Sequence, residues 1–396
     1  MGRFVAGTRR MAFTPVRKSV PWMATCLGQS FRSLGSKLLA SHKARAYDGL
    51  LADELQVEPY RSLLQSLGRQ NPRREMIGTG DPTSPTARIS TEEIGARRGE
   101  VLVFVHGVFA DRTMWRFVAG ALAPRHNLLL IDLPGCGDSD KPHPTKRPES
   151  IYSPQPLARR ILQVLRAHLR TREDAPRIRL IAHSLGGAIA IRMFACPELR
   201  REFQDVIDRI DAMVLLAPLD VAIEKEHPTL TQLLGLRGVH IWSARGLGKL
   251  RKGVAKSLID SRGEGEVIFQ READHKTGVL TDAPSRRAMQ AMLYHAVPRL
   301  RGRPVWREID QVVARYPQVT PRTLVIWGEH DEVLPLSMGY KLVAQLPDAR
   351  LTAIPKGGHS LVLERPELIA QLAHEFFASE PPPEVVTRPL AISTRT

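Results

Sequence analysis

The sequence predicts an α/β protein built on a doubly wound, mostly parallel sheet, and three observations carry that prediction. The short apolar runs VLVFVHG, NLLLIDLPG, IRLIAHS, AMVLLAP and TLVIWG punctuate the chain from residue 101 onward. Each is too short and too continuously apolar for a surface helix, and each ends at Gly, Pro or a polar residue, as a strand buried on both faces should. Between them lie amphipathic stretches such as residues 156–170, where Leu157, Ile161, Leu165 and Leu169 recur four apart. Strand alternating with helix is the pattern of a parallel sheet flanked by helices.

Outside this alternation the chain divides further. Residues 1–70 read as a basic extension with helical patches: the first fifty hold nine Lys and Arg and a single acid, Asp48. The stretch NPRREMIGTGDPTSPT marks a boundary by its Pro, Gly and Ser content. Residues 71–220 and 321–380 form the expected core, 221–320 an inserted helical cap, and 381–396 an extended tail that begins within SEPPPEVV.

With 396 residues and 43% hydrophobic content the chain can bury a substantial core. Cys26, Cys136 and Cys196 are widely spaced and show no CxxC or Cys/His pattern, so neither a disulfide framework nor a zinc site is expected, and a reducing, cytoplasmic setting fits. No run of about 18 apolar residues occurs. The basic arm leaves a bacterial extension, a mitochondrial transit peptide and a membrane-surface segment open. Nucleic-acid binding is not expected, since the high charge comes without the motif of a known module.

In open parallel sheets function gathers at the carboxyl ends of the strands. There the chain places His106, Gly107 and Val108 after the first run, Ser184 after IRLIAH, Asp331 after TLVIWG, and His359 after LTAIPKGG. Together with DLPGCGDSDKP and the sequence AHSLGG around Ser184, these motifs resemble the α/β-hydrolase family, over about residues 95–378 apart from the cap. The order Ser, Asp, His is the one that family uses. One departure stands at Ala182, where the usual G-x-S-x-G elbow has its first Gly.

The resemblance implies Ser184 as nucleophile, His359 as its base and Asp331 as the carboxylate orienting the imidazole, with Glu329 and Asp138 as weaker alternatives to Asp331. It implies an oxyanion hole from the backbone N–H groups of Val108 and Leu185, with Phe109 the alternative to Val108. His106, Gly107 and Gly186 support the turns. His183 and His330 flank the set and are expected to point elsewhere, and DLPGCGDSDKP is expected to be scaffold. No metal or organic cofactor is implied.

The expected activity is hydrolysis of a carboxylic ester, with a hydrophobic or lipid-like substrate favoured. Other chemistries of the fold stay open: C–C bond hydrolysis, lactonase, thioesterase, haloperoxidase, or binding without catalysis. Dehalogenases and most epoxide hydrolases carry Asp where this chain has Ser184. Residues 227–258 lack any acid, carry Arg237, Arg245, Lys249, Arg251, Lys252 and Lys256, and space Leu247, Leu250, Val254 and Leu258 helically. Such a segment packs on a core with its charges in solvent, or meets an anionic membrane. Leu233, Leu234, Trp242, Met289, Met292 and Tyr294 could line an apolar pocket or form cap core. Oligomeric state has no signature in the sequence.

Overall fold

The computed structural model describes residues 60–70, 72–81, 84–95, 99–144, 151–174, 176–222, 275, 282–301 and 303–379. The chain divides into two compact units, 1–45 and 46–396. The first unit lies outside the described residues, as do the basic cap stretch 227–258 and the tail 381–396. The sheet and its flanking helices all belong to the second unit.

The apolar runs are strands as expected. They are β3 (Val101–Val105), β4 (Asn127–Ile131), β5 (Ile178–His183), β6 (Ile210–Leu216) and β9 (Arg322–Gly328), joined by β10 (Ala349–Ile354) at one edge. Two further strands, β1 (Arg73–Asp81) and β2 (Ser84–Ile94), complete a sheet of order β1-β2-β4-β3-β5-β6-β9-β10. All pairs from β4 to β10 are parallel, while β1 with β2 and β2 with β4 are antiparallel. A two-stranded ribbon, β7 (Arg299–Leu300) with β8 (Arg303–Pro304), stands apart.

β1 and β2 cover most of the stretch that reads as a boundary. RREMIGTGD holds few apolar residues because it is an edge strand with one face toward solvent, where Pro, Gly and charge are tolerated. The helix α1 (Tyr60–Gly68), at the end of the basic extension, is also part of the packed body. Leu63, Leu64 and Leu67 are buried beside Phe117, Val118 and Leu122 of α2 (Arg116–Leu122). A Cβ on Gly120 would stand 2.1 Å from the Leu63 carbonyl oxygen, so the two helices meet backbone to backbone there.

Two apolar layers sandwich the sheet. On one side lie α3 (Pro154–Arg170) and α4 (Leu185–Ala195). On the other, α2 packs with α8 (Pro366–Ala378). Of the insertion, α5 (Ala283–His295) and α6 (Trp306–Val313) are described, and α7 (Leu336–Val343) follows β9. Met289 and Met292 on α5 are fully buried in the same apolar layer as α3 and α4, so they are core residues.

One cluster of charge is enclosed. Arg112, 1% exposed, donates from Nε to Glu92 (3.2 Å), from Nη1 to Ser90 Oγ (3.3 Å) and from Nη2 to Asp138 (2.7 Å), and its Nη1 also pairs with Asp132. Its backbone N–H donates to Asp132 Oδ1 (2.7 Å). Burial works against the guanidinium charge, yet Asp132 and Glu92 hold its pKa far above the ordinary arginine value. β2, the end of β4, the turn after β3 and the DLPGCGD loop are thereby tied at one cation. In that loop the Asp138 carboxylate accepts from Arg112.

Because Asp132 is fully enclosed and pairs with Arg112, while Glu92 also keeps Arg74 (3.3 Å), Arg112→Ala leaves the buried Asp132 carboxylate without its cation and costs about 3–5 kcal/mol of stability. Asp138, with a side chain 47% exposed, is the contrast: Asp138→Ala costs less than about 1 kcal/mol. Urea midpoints at neutral pH check both.

Candidate active site

Ser184 stands between β5 and α4 with φ +52° and ψ −117°, a left-handed backbone that costs a non-glycine residue roughly 1–3 kcal/mol. The turn is held from several sides. Ser184 N–H donates to the Leu216 carbonyl (3.0 Å), and the Ser184 carbonyl accepts from Gly187 N–H (2.9 Å) and Leu219 N–H (2.8 Å). The last of these comes from the loop after β6. A Cβ on Gly186 would lie 2.2 Å from the Val105 carbonyl oxygen, so only glycine lets α4 start this close to β3. Strand sterics and backbone bonding thus hold Ser184 on a sharp apex, its side chain partly exposed.

The turn after β3 lies against this apex. A Cβ on Gly107 would stand 2.9 Å from Ser184 Cβ and 3.1 Å from the His183 carbonyl oxygen. His106, fully buried, fixes the turn. Its Nε2 accepts from Leu133 N–H (3.0 Å), so Nδ1 carries the proton and donates to the Gly107 carbonyl (2.8 Å). Among the described residues, no acceptor is bonded by the backbone N–H of Val108 or of Leu185, the first residue of α4. Phe109, with φ +60°, forms the crest of the same turn.

Asp331 and His359 meet beyond the ends of β9 and β10. The ladder continues past the strands, with Glu329 N–H donating to the Ile354 carbonyl (3.1 Å) and His330 N–H to the Gly357 carbonyl (2.8 Å), which keeps the two loops side by side. His359 Nδ1 donates to Asp331 Oδ2 at 2.7 Å, and Asp331 Oδ1 accepts from Val333 and Leu334 N–H, both at 2.8 Å. The Asp331 side chain is fully enclosed. The two alternatives lie elsewhere: Asp138 on Arg112, and Glu329 exposed.

His183 corrects an expectation. Its side chain points toward the site, with its ring centroid 4.8 Å from that of His359 and its Nε2 donating to the His359 carbonyl (2.9 Å). The residue preceding Ser184 therefore grips the loop that carries His359. His330 is exposed, with its backbone in the ladder.

Two residues of the site escape sequence reasoning. Glu364, buried, accepts from Gly358 N–H (2.7 Å) and Ser360 N–H (3.1 Å), clasping the backbone on both sides of His359. Burial pushes its pKa up against the pull of those two bonds. Its spacing of five from His359 is the signal that was present. Arg112 is the other, anchoring the turn from below.

His275, within the insertion, pairs through Nε2 with Asp111 Oδ2 at 2.8 Å. Burial works against the Asp111 charge, but His275 and Thr113 hold its carboxyl well below the usual range. Asp111 also caps the helical turn Arg112–Trp115, accepting from Thr113 N–H. Cys136 and Cys196 are buried free thiols, burial pushing Cys196 up to about 11. Among the described residues, no group of three or more His, Cys, Asp or Glu is placed to hold a metal. No helix there is long and apolar enough to cross a membrane.

Burial holds the His106 pKa below its ordinary value even though Asp132 pulls the other way. The unfolded chain therefore takes up a proton near pH 6.5 while the folded one resists. His106 contributes its full stability above that pH and loses it as pH falls from there toward the folded pKa. His106→Gln removes this component, so the stability gap between wild type and variant narrows as pH drops below about 6.5. Chemical denaturation across that range checks it.

Comparison with known proteins agrees with the geometry. The model of the alpha/beta hydrolase family matches residues 102–372. An uncharacterized hydrolase, YugF, of Bacillus subtilis (strain 168) is 27% identical over 278 residues, covering 70% of this chain and 89% of that one. A 2-hydroxy-6-oxononadienedioate/2-hydroxy-6-oxononatrienedioate hydrolase of Cupriavidus pinatubonensis (strain JMP 134 / LMG 1197) is 24% identical, covering 74% and 91%. In structure, a putative lipase of Acinetobacter baumannii AYE superposes with a TM-score of 0.56 at 18% identity, over 81% of this chain and 96% of that one. An enol-lactonase of Burkholderia xenovorans LB400 does so with a TM-score of 0.55 at 17%, over 74% and 97%. The chain belongs to the alpha/beta hydrolase family and is a hydrolase of that fold.

Proposed function

We propose that the chain is a serine hydrolase that cleaves carboxylic esters through an acyl-enzyme on Ser184. The observation that carries this reading is the strained Ser184 apex at the strand-to-helix turn, in a chain whose His359 and Asp331 are bonded at 2.7 Å. A serine hydroxyl is a weak nucleophile at neutral pH, and a strained turn that exposes it is costly unless it is used.

In this mechanism Ser184 Oγ attacks the ester carbonyl as His359 Nε2 takes its proton. Asp331 keeps the other imidazole proton on Nδ1 and stabilises the imidazolium that forms; its second oxygen, tied to two backbone N–H groups, keeps it oriented. The oxyanion is stabilised by the N–H groups of Leu185 and Val108, each donor worth roughly 3–4 kcal/mol of barrier. The imidazolium returns its proton to the leaving alcohol. Water, deprotonated by His359, then releases the acid and restores Ser184.

A C–C bond or enol-lactone substrate is the second reading, supported by the activities named for two of the similar proteins. The same three residues and the same oxyanion donors would serve, and the substrate decides between them. The inserted segment would act as a cap, with His275 linking it to the turn that carries Val108.

A fluorophosphonate probe tests the nucleophile: labelling of the wild type and none of Ser184→Ala is expected, and labelling that survives the substitution overturns the assignment. On an ester panel of increasing acyl length, Asp331→Asn lowers kcat by roughly three to four orders of magnitude with the fold intact. Turnover of vinylogous diketones with no turnover of any ester would move the assignment to C–C hydrolysis.

A further inference from the structure

From Ala283 to Arg307 the chain contains no acid and six arginines, Arg286, Arg287, Arg299, Arg301, Arg303 and Arg307; acids resume at Glu308 and Asp310. Arg287, Arg301, Arg303 and Arg307 are exposed, and none has an acidic partner among the described residues. The β7–β8 ribbon falls within this stretch. It pairs Leu300 with Arg303 and turns at Arg301, which has φ +50°.

Only four large hydrophobic side chains are exposed among the described residues, and two belong here: Leu300 (63%) and Trp306 (44%). Scattered exposed apolar residues are ordinary. A leucine at the tip of an arginine-rich ribbon, with a tryptophan at the start of the helix that follows it, is a different arrangement. Indole and aliphatic groups insert into the headgroup and upper acyl region while guanidinium groups meet lipid phosphates.

The element lies on the functional side of the sheet. α5, which leads into the ribbon, sets Ala288 Cβ 2.3 Å from where a Cβ on Gly135 would stand, in the loop at the carboxyl end of β4. Past the ribbon and α6, Tyr316 hydroxyl donates to Asp220 at 2.5 Å in the loop after β6. Both flanks of the ribbon are thus anchored at the carboxyl ends of the strands, where Ser184 also stands.

We propose that the β7–β8 ribbon and the start of α6 form a docking surface for an anionic lipid bilayer, with Leu300 and Trp306 inserting and Arg301, Arg303 and Arg307 on the headgroups. A nucleic acid or acidic protein would match the arginines but would leave Leu300 without an apolar partner. The proposal is independent of the reaction at Ser184, because binding is read without turnover.

The test is cosedimentation of the full chain with phosphatidylcholine vesicles with and without phosphatidylglycerol. Binding only to the anionic vesicles is expected, and Arg301→Glu with Arg303→Glu weakens it about 25-fold or more, at roughly fivefold for each basic charge lost at the surface. Leu300→Ser with Trp306→Ser weakens it as well. Thermal melting verifies that the variants fold; should either pair not fold, Arg303→Gln and Leu300→Ser singly give the same reading at smaller amplitude. Absence of binding by the wild type overturns the proposal. So does binding that neither change reduces, which would place the contact elsewhere, for instance on the basic arm. Loss on charge reversal alone, with heparin bound as tightly as vesicles, overturns it in favour of a general polyanion surface.

Discussion

The structure turns on the lack of room where β3, β5 and α4 meet. Parallel pairing sets Val105 beside Ala182, and α4 must begin immediately beyond β5 while passing within van der Waals contact of the β3 backbone. Gly186 therefore cannot carry a side chain, and Ser184 is driven into a left-handed backbone that its neighbours then hold in place. The first two N–H groups of α4 are left without intrahelical acceptors beside the residue whose backbone is strained. The strain and exposure of Ser184 and the unbonded N–H of Leu185 beside it thus arise from one packing constraint.

Around that apex the supporting contacts divide by type. The turn after β3 is held by neutral hydrogen bonds through His106 and, beneath it, by the Arg112 cluster, whose charges are nearly all enclosed. The His359 loop is held by backbone bonding to β9, by the Glu364 carboxylate beneath it and by His183 beside it. Buried ion clusters contribute little net stability, but they penalise any arrangement that separates their members. In this fold the Arg112 cluster ties the loop after β4 to the turn after β3, the turn that lies against Ser184.

Much of this was legible in the sequence, for identifiable reasons. Strands buried on both faces leave continuous apolar runs, so β3 through β6 and β9 were plain, and with them Ser184, Asp331 and His359 at or beyond their carboxyl ends. β1 and β2 were not, because an edge ribbon with a solvated face keeps no such run and resembles a linker. His183 was misread because strand alternation turns its side chain away from that of Ala182, but says nothing about which loop arrives on that face. Glu364 and Arg112 act on backbone groups and on carboxylates brought from distant segments. Only the assembled fold shows what they touch.

The distribution of charge follows from the same distinction. Inside, Arg112 meets Glu92, Asp132 and Asp138, and Asp111 meets His275; these enclosed charges are paired, since an unpaired buried charge is costly. At the surface no such penalty operates, and the arginines between Ala283 and Arg307 accumulate without acids among them. Among the described residues no acid pairs with Arg287, Arg301, Arg303 or Arg307. Leu300 and Trp306 stand exposed in the same short stretch, where folding alone would favour their burial. Exposed arginine charge and exposed apolar surface thus coincide on one element at the carboxyl end of the sheet, the combination that an anionic bilayer accommodates with its headgroups and upper acyl region.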